Sequence, residues 1–451
     1  MRTEHDLVGT LELPDEALYG IHTARALENF PHGGLPLAAV PEFCRALVTV
    51  KYAAARANLE LGVLDEERGT AIIAACEELI AAPDELVRQM QLPVLQGGAG
   101  TSTNMTANEV IANRALEILG RHLGDYAHLH PNDHVNCSQS TNDVYPTALQ
   151  VALVLRDRWV AASLAALADS LAAVTERHGE VAKLGRTQLR DAVPMSVEQE
   201  FTAWADGCRR SVAELEAVAT GDLRRVHLGG TAIGTGLNAP EGYAELAVRY
   251  LGEALELGFK LAPHPVSATT DPSGLLAYSA ALRSSAVRLG KLANDLRLLS
   301  SGPRAGLAEL RLPPVQVGSS MMPGKVNPVI PEYANQLCFR IRGLDETVTL
   351  ALDAAQLQLS AMVPAAADAL FESQQLLRVA CDSLSARCVP GIEIDGERLG
   401  AYARDGLGEL TSAAAVLGYE TSSVIAKEAH RSGIAPVEAI EGRVEAADEQ
   451  R

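Results

Sequence analysis

Between Leu275 and Leu299 the positions Leu275, Tyr278, Leu282, Ser285, Leu289, Leu292, Leu296 and Leu299 follow one another at alternating steps of three and four, and only Ser285 interrupts the apolar run. That spacing predicts one long helix with a narrow apolar stripe. Val160, Leu164, Leu167, Leu171 and Val174 repeat the pattern over 160–174, as do Leu337, Ile341, Leu344 and Val348 over 337–348. Three long helices with narrow stripes imply a bundle. Stripes of this length also leave more apolar surface than one thin bundle can hide, so self-association is expected. Aromatic residues make up 4% of the 451 positions while alanine and leucine abound, a balance that favours helices packed on helices over sheets. The expected class is all-α.

Charge narrows the partners. A formal net charge of −19 argues against nucleic acid or an anionic membrane, both of which call for a basic surface. Cys44, Cys76, Cys137, Cys208, Cys338, Cys381 and Cys388 form an odd, scattered set without a C-x-x-C pair, which reads as reduced thiols in a cytoplasm. The first twenty residues carry charges where a signal peptide needs an apolar run, and no uncharged apolar stretch is long enough to span a bilayer. A soluble cytoplasmic protein is expected.

Loops rich in Gly, Ser, Thr and Asn separate the helical stretches: GGAGTSTNM at 97–105, CSQSTNDVYP at 137–146, LGGTAIGTGLNAP at 228–240 and GSSMMPGKVNP at 318–328. We expect an N-terminal helical domain at 1–142, a central bundle with the last of these loops at 143–395, and a small C-terminal helical domain at 396–451, beyond the turn signal VPGIEIDGERLG. The 318–328 loop is no phosphate-binding P-loop, because five residues separate Gly318 from Gly324 and Val326 follows the lysine. Its Lys325 and Asn327 could hold a carboxylate; equally, the stretch could be an exposed hinge. Ser140, Thr141 or Asn142 could cap a helix with Pro146 in its first turns, and such a terminus is also an anion site. TSTNMTANE at 101–109 has the same character. KLGRTQLRDAVP at 183–194 sets Thr187 and Gln188 at the close of a predicted helix. His128, His130 and His134 in HLHPNDH read as a turn around Pro131 more than as metal ligands. There is no G-x-S-x-G elbow, and no motif for pyridoxal phosphate, nicotinamide or a catalytic metal, so no cofactor is expected.

Together these stretches resemble a family. RTEHDLVGTLELP, YGIHTARALENF, QGGAGTSTNMTANEVIANRALEILG, HPNDHVNCSQSTNDVYPT, GRTQLRDAVPMSVEQEF, GGTAIGTGLN, NDLRLLSSGPRAGL, GSSMMPGKVNP and GYETSSVIAKEA are similar, in order and over nearly the whole chain, to the aspartase/fumarase superfamily, and within it to the branch that removes ammonia from aspartate. The resemblance implies a three-domain lyase built on a long-helix bundle, a homotetramer in which three subunits contribute to each site, and cofactor-free anti elimination releasing fumarate from a small dicarboxylate. It puts the general base on Ser319. Thr101, Ser140, Thr141 and Ser320 would crowd the carboxylate that gathers charge, Lys325 and Asn327 would hold the other, and Asn142, Thr187 and Gln188 would face the leaving amine.

Gln188 bears on the choice of leaving group. Fumarases resemble this chain but carry His there, paired with a carboxylate that here would be Glu332. Hydroxide needs a proton delivered to leave, whereas an amine that is already protonated does not, so the lack of a titratable group favours C–N cleavage. Class II fumarase and a lyase for an N-substituted aspartate stay open as alternatives. Arg190, Ser360 and Val363 depart from the family pattern, and Arg190 stands two residues from Gln188. Retention of Ser319, Lys325 and Asn327 favours an active lyase over a silent structural relative.

Overall fold

The stripe that ends at Leu299 lies in a helix, Ser273–Leu299, and every stripe position from Tyr278 onward is buried, the interrupting Ser285 included. The other two stripes fall in the helices Thr141–His178 and Val329–Asp353. Two further long helices, Val197–Thr220 and Val363–Arg387, complete the set. The computed structural model describes residues 1–31 and 33–448, with sixteen α-helices and four two-stranded sheets among the described residues. The protein is an all-α helical-bundle fold, and no described helix is long and apolar enough to cross a membrane.

The chain divides into two compact units. One takes the described residues within 1–161, 213–284 and 340–376; the other takes those within 162–212, 285–339 and from 377 on. Each of the five long helices is shared between them. The boundaries expected from sequence fall at other landmarks: residue 142 is in the first turn of Thr141–His178, and Asp395 caps the helix Gly396–Asp405 by accepting the N–H of Arg398.

In the first unit, Phe43 meets the ring of Tyr145 edge-on at 5.3 Å and that of Phe371 at 5.2 Å, all three fully buried. Polar groups beside this apolar centre are satisfied by one another. Arg156 donates to Glu42 (2.7 Å) and Gln374 (3.0 Å), Gln374 donates to the Tyr278 hydroxyl (2.8 Å), and Tyr278 donates to Asp157 (2.7 Å). Four helices are thereby pinned in one register, because leaving any of these buried groups unpaired costs about 1–3 kcal/mol.

The second unit corrects one expectation. KLGRTQLRDAVP does not end a helix; it forms the antiparallel strands Ala182–Thr187 and Arg190–Ser196, paired from Ala182 opposite Ser196 to Thr187 opposite Arg190. Gln188 and Leu189 are the two turn residues, at φ of 53° and 60°. Turns with both central residues left-handed match the twist of the flanking strands, and here the geometry is met without glycine. The hairpin is clamped from below by the buried carboxylate of Glu309, which pairs with Lys183 (3.1 Å) and with Arg186. The C-terminal helices Gly396–Asp405 and Gly408–Leu417 pack on its strands so closely that a Cβ on Gly408 would lie 2.7 Å from Pro194.

Candidate active site

Thr101, Ser140, Thr141 and Asn142 stand together in the first unit, at the N-termini of Thr101–Ile118 and Thr141–His178. The chain enters the first helix through Gly98, Ala99 and Gly100, all left-handed, and at Gly100 a Cβ would sit 2.3 Å from the Tyr145 ring. No side chain fits there. Ser140 caps the second helix: its hydroxyl accepts the N–H of Asn142 (3.2 Å), and Asp143 reaches back to the N–H of Ser140 (2.9 Å), the reciprocal pattern of a capping box. Capping and anion binding coexist at such a terminus, since further N–H groups remain aimed outward.

Asp143 does more than cap. Its other oxygen accepts the N–H groups of Gly229 and Thr231, both at 2.9 Å, which draws the GGTAIGTGLN loop onto the start of the helix. Asn142 completes the junction, its side-chain N–H on the carbonyl of Ala232 (2.7 Å) and its own carbonyl against His227 Nε2 (2.9 Å). Fully buried Lys51 lies close by, donating to Asn136 (2.8 Å) and Gln139 (2.9 Å). Burial drives the Lys51 ammonium down and the Asp143 carboxyl up, while the attraction between them works against both shifts. Asn104 donates to Asn136 (3.2 Å) and to the hydroxyl of Thr141 (3.1 Å). Lys51, Asn104, Asn136 and Asp143 were not among the expected site residues. One signal existed for Lys51: it interrupts the buried face of Pro41–Glu60 between Leu47 and Ala54.

The remaining expected residues belong to the second unit, on two loops. Thr187 and Gln188 are exposed at the hairpin tip. Ser319, Ser320, Lys325 and Asn327 lie on the 318–328 loop, where Ser319 and Asn327 are half-buried and Ser320 and Lys325 exposed. The hydroxyl oxygen of Ser319 accepts the N–H groups of Met321 (3.1 Å) and Met322 (2.9 Å). Asn327 straps the loop, donating to the carbonyl of Gly318 (2.6 Å), while the N–H of Gly318 meets the carbonyl of Lys325 (2.8 Å). A Cβ on Gly318 would approach that carbonyl to 2.6 Å, which explains the glycine. Beside the loop opens a cavity of about 430 Å3, bordered by Gly324, Asn327, Arg311 and Arg398.

His130 and His134 serve the turn between the first two site segments. The N–H groups of Asn132 and Asp133 point to His130 Nδ1 (3.1 and 3.3 Å), and that of His130 points to His134 Nδ1 (2.8 Å), over the π-helical turn Pro131–Val135.

A hydroxyl held by two amide N–H groups on a glycine-bounded loop, with helix N-termini rich in hydroxyls elsewhere in the chain, suits the removal of a proton next to a carboxylate. A family model described as lyase matches residues 9–343. The chain belongs to the aspartase/fumarase superfamily. It is 48% identical to the aspartate ammonia-lyase of Pseudomonas aeruginosa over 432 residues, covering 96% of this chain and 91% of that one, and 44% identical to that of Escherichia coli over 442 residues, covering 96% and 90%. Among solved structures, the fumarate lyase:delta crystallin from Brucella melitensis bound to cobalt matches with a TM-score of 0.94 at 48% identity, over 98% of this chain and 95% of that chain. The class II fumarase of Schistosoma mansoni matches at 0.92 with 32% identity, over 99% and 97%.

Proposed function

We propose that this chain is a carbon–nitrogen lyase, an aspartate ammonia-lyase that reversibly converts L-aspartate to fumarate and ammonia. Ser319, as alkoxide, takes a proton from the carbon next to the side-chain carboxylate. The electron pair first collects on that carboxylate and then forms the double bond as the protonated amino group leaves as ammonia. Thr101, Ser140, Thr141 and Ser320 donate to the carboxylate that gathers charge, Lys325 and Asn327 hold the other, and Asn142, Thr187 and Gln188 face the amine. The observation that carries this reading is the convergence of the Met321 and Met322 N–H groups on the Ser319 oxygen, since an alkoxide near neutral pH needs such donors in a dry site. Identity of 44–48% to aspartate ammonia-lyases, against 32% to a class II fumarase, supports ammonia over water as leaving group.

The test follows fumarate absorbance with aspartate, malate and N-substituted aspartates in turn. Aspartate is expected to react at least about a hundredfold faster than malate, a gap of about 2.7 kcal/mol in barrier. Comparable rates would assign the chain to the fumarases, and a preference for a substituted amine would move the assignment to that substrate.

The assembly of these residues in a homotetramer, with the segments 1–142, 143–395 and 396–451 as its domains, belongs to the same proposal. Exposed apolar side chains on the long helices support it, Val287 and Phe339 in one unit and Leu350 in the other, at 51%, 59% and 61% exposure. Sedimentation is expected to give a species of four chains at micromolar concentration; a stable, active monomer would sink the tetramer.

A further inference from the structure

Lys51 is fully buried on the helix Pro41–Glu60, and no step of the proposed reaction uses it. Its surroundings give it a direction. The amino group faces two side-chain oxygens, Asn136 Oδ1 at 2.8 Å and Gln139 Oε1 at 2.9 Å. As an ammonium it can only donate, and even the neutral amine would have both its N–H groups claimed by these two acceptors. Both amides are therefore fixed with oxygen inward. Gln139 turns its NH2 to the carbonyls of Val135 (2.9 Å) and Cys137 (3.0 Å).

Asn136 Oδ1 has a second lone pair, and Asn104 Nδ2 fills it at 3.2 Å. The orientation of Asn104 follows, because the flipped amide would set oxygen against oxygen. Its second N–H is then committed to Thr141 Oγ1 at 3.1 Å. A hydroxyl that accepts on this side keeps its own proton for a partner elsewhere. We propose that Lys51 is a positioning residue that sets the polarity of the relay through Asn136 and Asn104, so that Thr141 meets the substrate carboxylate as a hydrogen-bond donor. The inference rests on the reading of Thr141 as a carboxylate ligand given above. Without the cation, either amide can flip at little cost, and Thr141 loses the bond that fixes its rotor.

Double-mutant cycles test this, with KM for aspartate and the dissociation constant of fumarate measured on the full chain. Lys51→Met is expected to weaken both about tenfold or more with a smaller change in kcat. In a Thr141→Val background the same substitution should change them less than about twofold, because the hydroxyl through which Lys51 acts is gone. An equal, additive effect in that background would overturn the proposal, as would unaltered constants in the single variant. Should Lys51→Met fail to fold, Asn104→Asp at pH 8 decides, since its carboxylate accepts where the amide donated: a tenfold loss confined to the Thr141 background supports the relay, and no loss refutes it. A wild-type chain that binds fumarate without turning over aspartate defeats the proposed reaction alone, leaving the fumarate constants to decide the relay. One that binds neither defeats both.

Discussion

Ser319→Ala is expected to lower kcat by about a thousandfold or more while fumarate binding stays within a few-fold of wild type. A base acts only in the transition state, and positioned proton transfer is worth about 10² to 10⁴ in rate. Lys325→Ala should fail differently. An anchor for a carboxylate works in the bound ground state, so KM should rise about tenfold or more, with any loss of kcat arising from a misplaced substrate. The contrast needs a control on the same loop. Pro323→Ala keeps every polar group and changes only stiffness, and it should do less than either. Near-native turnover in Ser319→Ala, or equal damage from Pro323→Ala, would make the loop a hinge and place the base elsewhere.

Asp143→Asn carries the largest expected effect on folding. Three N–H groups face the Asp143 carboxylate, that of Ser140 on one oxygen and those of Gly229 and Thr231 on the other. An asparagine amide has to turn its NH2 toward one set or the other, so a donor meets a donor in either orientation. The substitution also strips buried Lys51 of its counter-charge. Buried groups left unpaired cost about 1–3 kcal/mol each, and the strain falls on the junction between the helix start and the 229–238 loop. Denaturant titration should show a loss of that size, together with faster amide exchange at Gly229 and Thr231. A variant within about 1 kcal/mol of wild type would mean that the junction does not depend on the carboxylate.

The long helices and a cap among Ser140, Thr141 and Asn142 were legible in the sequence because each rests on short-range pattern: stripes at steps of three and four, and a polar run just ahead of a helix with Pro146 in its first turns. The hairpin was not. Its turn is Gln188–Leu189 rather than Asn-Gly, and the register shift between Leu184 and Arg186 breaks the alternation that marks a strand. The network under Thr141 was hidden for another reason. Lys51 meets Asn136 and Gln139 at separations of 85 and 88 residues, so no local spacing announces it. What could be seen was only a lysine set among the apolar positions Leu47, Val50 and Ala54 of its helix. Glu309, too, reveals itself only in three dimensions, through Lys183 and Arg186 on a hairpin more than a hundred residues earlier.

The two-residue turn at the hairpin tip has a consequence for how such a protein changes its chemistry over time. Gln188 and Leu189 are exposed, and the ladder beneath them is held by backbone pairing, by the buried Glu309 clamp and by the helices that follow Asp395, none of which involves their side chains. Replacing them therefore leaves the supports of the hairpin in place. On the proposed assignment, amine preference changes by substitution at the tip while the loop proposed to remove the proton, encoded more than a hundred residues downstream, is left untouched. Within the limit set by the left-handed φ at both positions, the same proposal lets new leaving groups be explored on an unchanged scaffold.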